Sequence, residues 1–143
     1  MLHVEYSPIP IDILEEMIAL GEGYKTEFQD TTPRKMDLAQ TVCAFTNSHG
    51  GSIFLGISKS GTPIGIGKKY EQVAKIEEAV KLLEPQPNLI VQSHDFRGKE
   101  IIHIKVQEGT ERPCFVRQSG VKTAYVRKGE VNAKATKKDL KRL

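Results

Sequence analysis

Residues 44–67 read AFTNSHGGSIFLGISKSGTPIGIG, and this stretch decides the fold. Ala44 to Asn47 closes an apolar helix. Gly50-Gly51 supplies the turn that ends it, with one of the two in the left-handed conformation open to glycine. SIFLGI (52–57) is almost uniformly apolar, as expected of a strand buried on both faces. KSGT (59–62) is a turn and PIGIG (63–67) a short strand. The glycines also invite a reading as a phosphate cradle, Gly61-x-x-x-Gly65-x-Gly67. No Gly-Lys-Ser/Thr follows and no helix opens at once, so this is not a P-loop. Gly56 and Gly65 are read instead as points where packed backbones approach closely. Asn47, in the last helical turn, is assigned a scaffold role, capping carbonyls or holding the glycine turn.

Working outward, Thr32-Pro33 opens this helix, with Thr32 as N-cap and Pro33 in the first turn. Leu38, Val42 and Phe45 line one side, while Ala39, Cys43 and Ala44 fill close contacts. Earlier, PIDILEEMIAL (10–20) places Ile11, Leu14, Met17 and Ile18 at helical spacing, and Gly21 stops it. YKTEFQ (24–29) alternates Tyr24, Thr26 and Phe28 against Lys25, Glu27 and Gln29, a strand with one polar face. Later, Tyr70–Leu83 is a third helix, ended by Pro85 and Pro87. NLIVQSHDF (88–96) and KEIIHIKVQ (99–107) form a hairpin around Arg97-Gly98, with Ile102, Ile104 and Val106 alternating with His103 and Lys105. RPCFVR (112–117) and KTAYVRKG (122–129) read as another pair joined at Ser119-Gly120, and ATKKDLKRL (135–143) starts a helix capped by Thr136. The order implies an α+β domain, a mixed sheet with helices on one side. A single domain over residues 1–143 is expected. The chain ends as a helix begins, which suggests a domain cut from a longer protein, a short natural tail being the other reading.

Composition narrows the class. Hydrophobic residues at 38% and charged residues at 27% suit a globular chain. No apolar run reaches bilayer length and the N-terminus lacks a secretory pattern, so no membrane partner is expected and the cytoplasm is the expected location. Cys43 and Cys114 sit in apolar surroundings, as buried thiols in a reducing compartment do. The four histidines show no ligand spacing with them, so neither a metal nor another cofactor is implied. Charge is uneven: residues 119–143 hold eight Lys/Arg against Glu130 and Asp139, a net +6, whereas residues 1–118 carry 13 basic against 16 acidic residues, a net −3. Such asymmetry points to an anionic partner or, equally on charge alone, to a solvated lysine-rich terminus.

Four blocks resemble the Schlafen AlbA-type family. They are Glu22–Phe28, matching Glu-(four residues)-Glu-Phe; Val42–Gly56, matching an Ala-Phe-Ala-Asn-x-x-Gly-Gly run; Arg112-Pro113 in an apolar strand; and Tyr125–Gly129 followed by Ala135-Thr136. The resemblance implies a nucleic-acid-binding domain, DNA before RNA, of the kind found at the N-terminus of transcriptional regulators. Relatives that resemble metal-dependent RNA nucleases join two glutamates at this spacing to a third acid after the Gly-Gly run, a set that would hold a divalent metal. Glu22 and Glu27 match the first two positions. The third falls in Ile57-Ser58-Lys59-Ser60, which has no acid, and Lys59 brings positive charge instead. Catalysis is therefore not expected, and Glu22 with Glu27 stands only as an alternative nuclease site. A second alternative is a homo-oligomerising regulatory module beside an ATP-binding domain elsewhere.

The binding case rests on basic residues. KTAYVRKG places Tyr125 and Arg127 on one face, suited to base stacking beside a phosphate contact, with Lys122 on the other. Arg112, Arg117, Lys128 and Lys59 extend the candidate patch. Tyr125 also reads as an ordinary half-buried strand residue. Such contacts set affinity without reading sequence.

Overall fold

The computed structural model describes residues 2–5 and 10–143. Ten strands and four helices are assigned among them. A five-stranded sheet has the order β1-β5-β6-β3-β2, from β1 (Leu2–Glu5), β2 (Thr26–Gln29), β3 (Gly51–Leu55), β5 (Leu89–Phe96) and β6 (Lys99–Val106). Its outer pairs, β1–β5 and β2–β3, are parallel, and the inner pairs, β5–β6 and β3–β6, are antiparallel. The sheet is therefore mixed and the architecture α+β.

Two apolar clusters use opposite faces of this sheet. Helix α2 (Lys35–Thr46) and helix α3 (Lys69–Val80) lay Leu38, Val42, Phe45, Ile76 and Val80 over Ile53, Leu55, Ile102 and Ile104. Helix α1 (Ile11–Leu20) lays Leu14 and Ile18 against Phe28, Phe54 and Ile101. Successive residues of a strand alternate faces, so α1 covers the side opposite α2 and α3, and the helices lie on both faces of the sheet rather than on the one side expected. That is why the second half of β3 is apolar on both faces: Ile53, Phe54 and Leu55 are all 0% exposed. It is also why His103, whose place in the alternation reads as polar, lies buried and stacked on Phe54 at 4.6 Å.

The Gly50-Gly51 turn works sterically. Gly50 has φ +73°, and a Cβ there would lie 2.6 Å from the Val106 carbonyl oxygen. A Cβ on Gly51 would lie 2.7 Å from the Phe45 ring. The turn thus lets β3 follow the end of α2 without clearance for any side chain. Gly56 and Gly65 do approach each other closely, as expected, with 3.1 Å between a Cβ on Gly56 and the Gly65 carbonyl carbon.

Several local expectations differ. Helix α2 begins at Lys35 with Arg34 at its N-cap position, and the Thr32 hydroxyl instead donates to the Gln72 side chain. PIGIG forms no strand, only a single bridge between Ile57 and Pro63, because its chain is occupied in tight bonds to Gly56. Leu83 leaves α3 and enters β4 (Leu83–Glu84), which joins β7 (Phe115–Gln118) and β8 (Val121–Thr123) in a second sheet. KTAYVRKG is split. Its first part is β8, and its second is β9 (Tyr125–Lys128), which pairs with β10 (Val131–Lys134) rather than with β7. The last helix, α4 (Lys137–Lys141), starts at a Thr136–Asp139 capping box. No helix among the described residues is long and apolar enough to cross a membrane.

Candidate nucleic-acid interface

Asn47 organises the region around the end of α2. Its side-chain amide donates to the Cys114 and Tyr125 carbonyls, both at 2.9 Å, and its carbonyl accepts from the Cys114 backbone N–H at 2.7 Å. The Ser48 hydroxyl accepts from the Arg127 backbone N–H at 3.0 Å. Two adjacent polar residues thereby hold the chain at Cys114 and strand β9 against the helix end. At 3% exposure Asn47 has the scaffold role its position suggests.

Beneath β9 lies a closed polar cluster. The Arg127 guanidinium has five N–H donors, and all are used. Nη1 donates to Glu27 Oε1 at 2.7 Å and to Asn132 Oδ1 at 2.8 Å. Nη2 donates to the Gly23 carbonyl at 2.9 Å and the Thr26 carbonyl at 3.2 Å, and Nε to the Gly23 carbonyl at 3.3 Å. The group also sits over the Phe45 ring at 4.7 Å. Asn132 donates to Thr41, and Thr41 and Gln29 donate to Glu27 Oε2, closing the ring. The Arg127 side chain is 0% exposed and that of Glu27 9%.

This corrects two expectations. Arg127 is committed within the protein and has no donor left for a phosphate. Glu27 belongs to the buried face of β2, so the polar face of that strand is turned inward onto α2. Glu22 is engaged as well: its Oε2 accepts from the Phe28 N–H at 2.9 Å and from Lys59 Nζ at 3.0 Å. Each carboxylate of the alternative nuclease pair is bonded to a cation of its own chain, Glu22 to Lys59, whose side chain is exposed. No group of three His, Cys, Asp or Glu among the described residues is placed to hold a metal.

Above β9 lies a cleft of about 500 Å³. It is lined by Tyr24, His49, Glu108, Arg112, Lys128 and Arg142, with Asn47 and Ser48 in its wall. Each of the four sequence blocks contributes to it: Tyr24 from the first, Asn47 to His49 from the second, Arg112 from the third and Lys128 from the fourth. Acids share the site. Glu108 lies 3.3 Å from His49 and 3.7 Å from Arg112, and Asp139 lies 3.2 Å from Lys128. The Asp139 carboxyl is held below the ordinary range, chiefly by the Thr136 backbone N–H and then by its other hydrogen bonds and Lys128. His49, Glu108 and Lys128 are about half exposed or more, so water and a competing anion reach them, while their partners Arg112 and Asp139 are recessed at 29% and 16%.

The remaining predicted contacts lie outside this cleft. Arg117 and Lys122 line another hollow on the β7–β8 hairpin, and both pair with Glu84, at 3.4 and 3.2 Å. Tyr125 is half-buried and packs against the main core, with its hydroxyl pKa raised first by burial. The sequence did not single out Tyr24, His49 or Glu108, whereas Arg142 belongs to the basic tail expected to bind the backbone. The available signal was positional: three of the four blocks are interrupted by polar residues at strand or helix ends, and these ends meet here.

The fold and cleft define an α+β domain whose mixed sheet carries a basic, open site at one helix end. The Schlafen AlbA_2 family model matches residues 22–136, and the chain belongs to that family. A comparison with curated protein sequences gives no match. Among solved structures, the DIP2311 protein of Corynebacterium diphtheriae is similar, with TM-score 0.63 and 17% identity. That match covers 87% of this chain and 29% of that one, so the chain spans under a third of this relative's length. The second is the N-terminal domain of a protein from Nitrosomonas europaea named as related to the ATP-dependent DNA helicase RecG. It has TM-score 0.61 and 19% identity, covering 92% of this chain and 94% of that one.

Proposed function

We propose that this chain is a non-catalytic nucleic-acid-binding domain, DNA its first target, serving a transcriptional regulator within the cytoplasm. The carrying observation is that Arg112, Lys128 and Arg142, far apart in sequence, line one cleft. The exposed lysines of the +6 segment, Lys134, Lys137, Lys138 and Lys141, add sequence-independent attraction. Family membership supports the reading, as does a fold shared with a domain from a protein named for a DNA helicase. The backbone is held and little sequence is read, because arginine and lysine on phosphate carry position rather than base identity.

A salt titration tests this. Binding of DNA and RNA should weaken log-linearly with salt, with a slope of roughly 0.9 per phosphate neutralised on duplex DNA. Arg112→Ala and Lys128→Ala should each weaken binding and flatten that slope by about one contact. Absence of binding to every nucleic acid at low salt, or unchanged binding in the paired variant, removes the proposal.

A further inference from the structure

The cleft does not end at Glu108. A second hollow, of about 450 Å³, shares His49 and Glu108 with it and continues past the end of β6. Its wall includes Lys25 and Lys105. Both lysines are exposed, and neither is in an ion pair among the described residues. At the junction stand two rings, Tyr24 and His49, with centroids 5.8 Å apart and planes at 58°. Tyr24 is 39% exposed and the His49 side chain 65%. Cations thus line both hollows of this track, and the partly exposed Tyr24 and His49 rings stand with the Glu108 carboxylate where the two meet.

We propose that this track, resting on the nucleic-acid reading above, takes a single strand rather than a duplex. Phosphates of the strand lie along Lys25 and Lys105 at one end and Arg112, Lys128 and Arg142 at the other. A base at the junction stacks on Tyr24. A duplex keeps its base faces within its own stack and offers nothing to these rings, whereas a single strand offers every face. Arg112 favours the same occupant: its side chain is 29% exposed, recessed within the cleft, where a flexible strand can follow.

The test is a binding comparison by fluorescence anisotropy at fixed salt, using one short mixed sequence as single-stranded DNA, single-stranded RNA and DNA duplex. At least one single strand is expected to bind about 10-fold or more tighter than the duplex. Tyr24→Ala is expected to weaken single-strand binding by about 5- to 150-fold, the range of one lost base stack, and to leave duplex binding within about two-fold. Tyr24→Phe should restore the stack. Lys25→Ala with Lys105→Ala should weaken single-strand binding and flatten its salt slope. Equal or tighter duplex binding overturns the inference, as does a Tyr24→Ala variant that binds the single strand normally. If binding instead depends on Arg112 and Lys128 but not on Tyr24, Lys25 or Lys105, the cleft reading survives and the single-strand track fails. If nothing binds, both fail together. Tyr24 is exposed, so its replacement leaves the core untouched, and an unchanged circular dichroism spectrum separates lost contact from lost fold.

Discussion

Arg127 and Lys128 are neighbours on one strand and meet opposite conditions. The Arg127 side chain is fully enclosed and every donor is taken by its own chain. The Lys128 side chain is 52% exposed and, among the described residues, held by Asp139 alone at the rim of the cleft. A strand turns successive side chains to opposite faces, so Arg127 fastens the domain from one face while Lys128, beyond the buried Val126 on the other, reaches the outside. Charge by itself does not identify a ligand site. What identifies it is whether the charge has already been satisfied from within.

The largest way to break this comparison is Arg127→Ala. Removing one partner of a buried pair leaves the other charge uncompensated, at a cost of about 3–5 kcal/mol. Urea denaturation should show that loss, and any fall in nucleic-acid binding should follow from unfolding alone. A loss below about 1 kcal/mol would mean the cluster beneath β9 is not what fastens it.

Buried polar groups that are not fully satisfied sharpen the comparison next. His103 bonds Ser52 through Nε2 at 2.8 Å, but among the described residues its Nδ1 has no partner, nor does Nε2 of His94 nearby. The His103 pKa is lowered to about 3, first by burial and then by repulsion from His94 and Lys105. That of His94 is lowered by burial. The unfolded chain, with histidine near its ordinary value of about 6.5, then binds protons the folded chain refuses. Stability is full above that value and falls as pH drops toward about 3. For His103 the fall is roughly 1.4 kcal/mol per pH unit, or about 2 kcal/mol by pH 5. His103→Phe should remove that share of the slope between pH 6.5 and pH 5, where few carboxylates titrate. A wild-type profile flat across this window would contradict the buried, neutral assignment.

These two sites also explain what was legible beforehand. The alternation and helical spacing of apolar residues sufficed for β3, the β5–β6 hairpin and the cores of α1, α2 and α3, because each buries a face of fixed period. The outcome at β9 depended on something no period carries. Arg127 finds Glu27 and the Gly23 carbonyl a hundred or so residues away, so its burial follows from tertiary pairing. The same holds for the split of KTAYVRKG, since β10 (VNAK) has too little apolar pattern to announce itself as a partner. The burial of His103 is hidden from the pattern for a different reason: α1 covers the face that alternation alone leaves open to solvent. The cleft was half legible. Arg112 and Lys128 stood out by charge, but Tyr24 and His49 matter only because the glycine turn and β2 bring them together.

On the open side of β9, effects on stability should nearly vanish while effects on binding remain. Arg112→Ala and Lys128→Ala touch only partly exposed pairs, so each should stay within about 0.5 kcal/mol of the wild type in urea. Set beside Arg127→Ala, the pattern reverses: binding falls with the fold intact, where before the fold fell first. If Lys128→Ala destabilises as much as Arg127→Ala, the two faces of β9 are not functionally distinct.

Glu108 gives the smallest and most discriminating test. Its carboxylate lies 3.3 Å from His49 and 3.7 Å from Arg112, at 47% side-chain exposure. It therefore stands where a phosphate would stand, and a phosphate must compete with it. An exposed pair of this kind contributes about 0–1 kcal/mol, and removing the negative charge also lifts its repulsion of the incoming backbone. Glu108→Gln should accordingly bind nucleic acid about 2- to 10-fold tighter at low salt, with the gain shrinking as salt screens the repulsion. Its stability should be unchanged within about 0.5 kcal/mol. The direction is what matters, because a carboxylate that merely braced Arg112 for binding would give weaker binding when neutralised. Tighter binding marks Glu108 as an internal stand-in for the ligand. Weaker binding makes it a brace, and the Arg112 side of the cleft would then resemble the enclosed cluster beneath β9 more than the open site above it.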